Sequence, residues 1–170
     1  MRTIPQMTRR GALGLLAGAA LFPGATVAAG MASVSGRAFG TSWRLAAPTG
    51  QPLERLGQEI ERVFGAVDAV FSPWRADSVV SRFNMAGAGS VHHADLSWVS
   101  AEALDLARTS EGAFDPTVGP LVARWGFGPI TAGGHPDWRG LSADAGAVAK
   151  MRGDLTLDLC GIAKGWALDR

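Results

Sequence analysis

Leu155-Thr156-Leu157-Asp158-Leu159-Cys160-Gly161-Ile162-Ala163-Lys164-Gly165 is the stretch on which the fold turns. Leu155, Leu157 and Leu159 alternate with Thr156 and Asp158, the two-residue period of a strand with one buried face. Gly161 then turns the chain into a helix that has barely begun when the sequence reaches Arg170. A helix that follows a strand directly presents unpaired N–H groups and the positive end of its dipole, a ready anion site. Gly161 and Gly165 leave room for another backbone or a ligand. Lys164 adds a positive charge, and Asp158 adds a carboxylate able to face a metal or a ribose hydroxyl. Two readings stand: a ligand site, or small residues for close helix packing beside a solvated Lys and Asp. The Walker spacing Gly-x-x-x-x-Gly-Lys is absent.

Upstream the period changes. Leu53, Leu56, Ile60, Val63, Phe64, Val67, Val70 and Phe71 recur at three- and four-residue steps with charged residues between them, which predicts an amphipathic helix. Ser72-Pro73 ends it, because proline cannot continue the ladder. Before it, Val34 to Leu45 reads as a strand or hairpin around Gly36 and Gly40. After it, a second helix is expected from about Leu96 to Ser110, capped by Asp95 or Ser97 and stopped by Gly112. Asp115-Pro116-Thr117 reads as the start of a short helix, Val118 to Trp125, with Asp115 as its cap. Gly126 and Gly128 stop that helix, and a loop follows from Pro129 to Asp144. His92 and His93 read as alternating strand residues with no third metal ligand nearby. These elements define an α+β domain, a mixed sheet with packed helices, without repeats or an internal linker.

Composition sets the outer limits. Across 170 residues, 47% are apolar and 18% charged, enough for a packed core and incompatible with wholesale disorder. The first 29 residues form their own unit. Arg9 and Arg10 precede an apolar run from Ala12 to Phe22, and the small-residue stretch Thr26-Val27-Ala28-Ala29 follows. That order is an export signal, and the paired arginines favour the twin-arginine route with cleavage near Ala29. The apolar run is shorter than the roughly 20 residues that span a bilayer. The expectation is a periplasmic protein whose domain occupies residues 30–170. Removing Arg2, Arg9 and Arg10 turns the formal +1 charge into a slight acidic excess with no basic stripe, so nucleic acid is excluded as a partner. Cys160 is the sole cysteine, and no Cys/His spacing suits zinc.

Two further segments can carry chemistry. Ser72-Pro73-Trp74-Arg75-Ala76-Asp77-Ser78 sets a tryptophan in a polar loop, where the ring either folds back into the core or stacks on something flat. Phe39, in Ala38-Phe39-Gly40-Thr41-Ser42-Trp43, poses the same alternatives. Gly112-Ala113-Phe114-Asp115-Pro116-Thr117 is either a helix-connecting turn or a helix start whose amides and ring meet a ligand.

The order of these blocks resembles the FAD:protein FMN transferase family, the ApbE-like flavin transferases. The resemblance runs through Gly36-x-x-Phe39-Gly40-Thr41-x-Trp43, Ser72-x-Trp74-x-x-Asp77-Ser78-x-x-Ser81-Arg82-Phe83-Asn84, Ser110-x-Gly112-Ala113-Phe114-Asp115-Pro116-Thr117-Val118-Gly119-Pro120-Leu121 and Leu157-Asp158-Leu159-x-Gly161-Ile162-Ala163-Lys164-Gly165-x-Ala167. It implies binding of FAD and Mg²⁺, and transfer of the FMN half to a threonine or serine of a flavin-accepting protein, a membrane or periplasmic respiratory subunit, with release of AMP. It implies FAD contacts at Phe39, Trp74, Ala113, Phe114, Asp115, Asp158 and Lys164, and a metal-holding carbonyl at Gly161. Phe39 stands where many members have Met, and Cys160 where Ser is usual. The family's chains continue past the Gly161–Gly165 block into further metal ligands and a histidine-containing stretch, so the catalytic residues are expected there. The resemblance therefore implies truncation at the C-terminus, and weak activity if these residues act alone. The competing expectations are an exported FAD-binding accessory protein without transferase activity and an inactive fragment.

Overall fold

The computed structural model describes residues 30–144 and 146–170; the export signal expected over residues 1–29 lies outside them. Strand β1 (Met31–Ala38) pairs antiparallel with β2 (Thr41–Pro48), Gly36 opposite Trp43 and Ala38 opposite Thr41. The connection is the two-residue turn Phe39-Gly40, with φ of 52° and 75°, the left-handed pair that matches strand twist. A Cβ on Gly36 would lie 2.8 Å from Trp43 Nε1 and 2.9 Å from Glu61 Oε1, so only glycine lets the indole lie across its own hairpin. That indole meets Phe64 edge-on, with ring centroids 6.2 Å apart.

Helix α1 (Leu53–Phe71) matches the predicted span, and its C-terminal face supplies Val67, Val70 and Phe71 to the core. Helix α2 (Val79–Met85) follows, capped by the Ser78 hydroxyl, which accepts the Ser81 N–H. Strands β3 (Gly89–His92), β4 (Leu141–Asp144) and β5 (Ala147–Lys150) form an antiparallel sheet in the order β3-β5-β4. Helix α3 (Ala94–Thr109) packs across β4 and β5. Short α4 (Gly119–Arg124) and terminal α5 (Cys160–Leu168) complete the domain. Val80, Leu96, Val99, Val148 and Leu157, all fully buried, mark where the helices meet the three-stranded sheet. Among the described residues no helix is long and apolar enough to cross a membrane.

Several expectations need correction. The cap of α3 is neither Asp95 nor Ser97: β3 runs straight into the helix, and His93 Nδ1 accepts the Leu96 N–H at 3.3 Å. Asp115 does not cap α4 either. Its carboxylate accepts both the backbone N–H and the hydroxyl of Thr117, at 2.8 and 2.6 Å, closing a side-chain turn before the helix starts at Gly119. The loop expected over residues 129–144 ends in a 3₁₀ turn, Trp138–Gly140, and strand β4.

The expected strand Leu155–Leu159 is not one: the segment has no regular secondary structure and pairs with no strand among the described residues, and Thr156 is buried along with the three leucines. Its main chain is satisfied by side chains instead. Asn84 Oδ1 accepts the Leu157 N–H at 2.7 Å, and Asn84 Nδ2 donates to the Leu157 carbonyl at 3.0 Å. Lys150 Nζ, almost wholly buried, donates to the carbonyls of Asn84, Gly153 and Leu155 at 3.0–3.2 Å and lies 5.1 Å from the Phe83 ring centroid. Burial lowers the pKa of this ammonium, and the charge of Asp154 opposes that effect.

Removing the Asn84 amide would leave a buried N–H and a buried C=O without partners, at a cost of about 1–3 kcal/mol for each group. Asn84→Ala is therefore expected to lower unfolding stability by roughly 3 kcal/mol. Urea titration checks this, and Asn84→Asp should retain only part of the loss, because it keeps the acceptor and discards the donor.

Candidate functional site

Four segments distant in sequence enclose one cleft of about 300 Å³. The last two turns of α1 form its floor through Val67, Asp68 and Phe71. The loop after α1 supplies one wall, Pro73 and Trp74; the start of α5 supplies the other, with Asp158, Cys160 and Lys164. Phe39, at the tip of the hairpin, closes one end, and Gly128-Pro129 the other.

Each wall is positioned by local chemistry. The left-handed turn carries Phe39 to the tip, where its ring tilts against Phe64 at 5.2 Å. Trp74 is 71% exposed, so the alternative of a ring folded into the core is set aside. On the opposite wall the Asp158 N–H donates to the Pro116 carbonyl at 2.7 Å, and its carboxylate accepts the Cys160 N–H at 3.0 Å. Asp158 thus satisfies one of the amides left open at the start of α5 and sits in the field of that helix end.

Of the residues singled out from sequence, Phe39, Trp74, Asp158 and Lys164 line this one cleft. Ala113, Phe114 and Asp115 do not line it. They lie immediately behind its α5 wall, joined to it by the Pro116–Asp158 hydrogen bond and by Phe114, whose ring would stand 3.5 Å from a Cβ on Gly161. Among the described residues no three His, Cys, Asp or Glu side chains gather to hold a metal, so these residues do not by themselves form the expected Mg²⁺ site.

Asp68 was not anticipated. It is the one carboxylate among the lining residues of α1, and it faces Arg75 at 3.5 Å. Its signal in the sequence was an acid placed between Val67 and Val70 near the apolar stripe of α1. Behind Trp74 a second hollow holds Met85, Ile130 and Thr156, whose hydroxyl is buried without a partner. Cys160 reaches solvent, yet desolvation and the neighbouring Asp158 carboxylate push its thiol up to about 12.

The arrangement is a cleft on an α+β domain lined by two aromatic rings, Phe39 and Trp74, and by a helix start with a carboxylate and a lysine, Asp158 and Lys164. Solved flavin transferases share this fold. ApbE from Vibrio cholerae superimposes with a TM-score of 0.71 at 30% identity over 82% of this chain and 51% of its own. The apo flavinyl transferase ApbE of Pseudomonas stutzeri gives 0.70 at 29% identity over 82% and 52%. Residues 39–170 match the model of the ApbE family, and the chain belongs to that family. The curated FAD:protein FMN transferases of Haemophilus influenzae and Vibrio cholerae are 30% and 31% identical to it, over 81% and 91% of this chain. The chain spans about half the length of these relatives, 47% and 52% respectively.

A thiol held at about 12 has little thiolate at neutral pH. Cys160 is expected to react with iodoacetamide at pH 8 about a hundredfold more slowly than a free cysteine, once the greater nucleophilicity of a high-pKa thiolate is counted. Asp158→Asn should raise the rate. Mass spectrometry of the alkylated chain measures both.

Proposed function

We propose that this chain is the FAD-holding part of an exported FAD:protein FMN transferase, which moves the FMN half of FAD onto a threonine or serine of a flavin-accepting periplasmic or membrane respiratory protein. The observation that carries the reading is the meeting of Phe39, Trp74, Asp158 and Lys164, far apart in the chain, around one cleft. Trp74 offers an exposed flat face to the isoalloxazine or adenine ring. The Lys164 ammonium is the group that neutralises the pyrophosphate, because the Cys160 amide at the start of α5 already donates to Asp158 and the Ile162 and Ala163 amides to the Leu159 carbonyl.

In the reaction the acceptor hydroxyl oxygen bonds to the FMN phosphorus and its proton leaves. The bond from that phosphorus to the bridging oxygen breaks, and AMP departs with the electron pair. Charge accumulates on the departing phosphate, so the contribution of these residues is positioning and electrostatic neutralisation. Among the described residues no three His, Cys, Asp or Glu side chains gather to hold a metal. The competing reading is an exported FAD-binding accessory protein without chemistry of its own.

Incubation of the protein with FAD, Mg²⁺ and a flavin-accepting protein separates the readings. Covalent flavin in a denaturing gel together with released AMP supports the transferase; FAD binding without AMP supports the accessory protein; absence of both refutes the two. Trp74→Ala is expected to weaken FAD binding about tenfold, the usual scale for losing a stacking partner. Replacing Arg9 and Arg10 with lysine should leave the precursor in the cytoplasm, as fractionation would reveal.

A further inference from the structure

Trp74 presents a problem of its own: a ring 71% exposed cannot be held in place by packing, so its backbone must be. The surrounding residues show how. The Ser72 carbonyl accepts the Ser78 hydroxyl at 2.7 Å, the Ser81 hydroxyl at 3.4 Å and the Arg75 N–H at 3.4 Å, while the Arg75 carbonyl accepts the Ser78 N–H at 3.2 Å. Ser78 is fully buried, and the same hydroxyl accepts the Ser81 N–H that starts α2. Outside this turn, the Arg75 guanidinium forks onto Asp77, Nε to Oδ1 at 3.1 Å and Nη2 to Oδ2 at 2.9 Å, and its Nη1 reaches Asp68 on α1 at 3.5 Å. Arg82 of α2 donates to the Asp77 carbonyl.

We propose that Arg75 is a positioning residue for the ring platform: by bridging Asp77 to Asp68 it ties the Trp74 turn to the floor of the cleft. The proposal rests on the reading of Trp74 as the FAD platform and adds what orders it. Trp74 follows Pro73, whose φ is restrained, and precedes the bridging arginine, so the turn is constrained on both sides of the ring. A planar fork matched to two carboxylates specifies direction as well as attraction, which a lysine cannot reproduce. The ordering cost of the loop is thereby met during folding rather than on binding, the usual route by which preorganisation tightens a complex. The fork also holds the Asp77 carboxyl below its ordinary range, so the bridge persists through neutral pH and is lost only in acid.

The test is a double-mutant cycle in FAD affinity between Arg75→Met and Trp74→Ala, with thermal unfolding as a control. The bridge faces solvent, so Arg75→Met is expected to fold with little change in Tm. Its affinity for FAD should fall roughly fivefold, Arg75→Lys should not restore it, and the substitution should have no effect once Trp74 is alanine. A ligand-free readout accompanies it: in protein labelled with 5-fluorotryptophan, the ¹⁹F line lost in Trp74→Phe should move towards the free-indole position in Arg75→Met. An unchanged line overturns the proposal even if FAD does not bind. Equal losses with and without Trp74 also overturn it, by making Arg75 a direct contact. A defective Trp74→Ala beside an unaffected Arg75→Met sinks the bridge alone; a Trp74→Ala that binds FAD like the unaltered chain sinks the platform reading itself.

Discussion

A buried segment outside any sheet needs partners for its main chain, and Leu155–Leu159 finds them in two side chains, Asn84 at Leu157 and Lys150 at Leu155, beside backbone bonds from the Leu155 and Asp158 N–H groups to Arg152 and Pro116. Asn84 engages Leu157 through both its donor and its acceptor, and Lys150 gathers three carbonyls around one ammonium. An unpaired peptide group in such a place costs as much as a lost hydrogen bond, so the position of this segment follows from those two residues. Asp158 and the start of α5 follow in turn. The cleft wall therefore depends on contacts at the end of α2 and in β5, outside the residues that line the cleft.

How much of this could be read beforehand varied with how local the cause was. Helix α1 was legible because its apolar repeat is long and its stop is a proline. The hairpin was legible only in part: a strand or a hairpin was expected around Gly36 and Gly40, and the turn falls at Phe39-Gly40 while Gly36 sits inside β1. Strands β4 and β5 were not, being four residues each and lacking a strong β-forming run. Asp115 followed the rule for a helix cap, but Thr117 competed for its carboxylate and won. The leucine alternation at 155–159 pointed to a strand with one buried face that does not form, because the main chain of Leu157 is met by Asn84, some seventy residues earlier, and Thr156 is buried too. No local pattern carries information of that kind.

The candidate site divides the same way. Trp74, Asp158 and Lys164 were visible as residues of the right type at helix and loop junctions, and Phe39 as an aromatic at a turn. Their convergence was carried by family resemblance, since neither period nor spacing brings a hairpin tip beside a helix start. Asp68 went unnoticed because an acid on an amphipathic helix ordinarily faces water. Ala113, Phe114 and Asp115, expected from the resemblance to touch FAD, lie beside the α5 start, with Phe114 near Gly161 and the following Pro116 bonded to Asp158.

Lys150 has a consequence for how the domain would meet changing surroundings. Its ammonium is held by main-chain oxygens inside the protein, out of reach of dissolved ions, whereas the Arg75 bridge lies in water where counterions compete. Ionic strength thus acts unevenly on the two sides of the cleft. Brine would leave the anchoring of the Asp158 segment untouched while it loosens the Arg75 bridge beside Trp74.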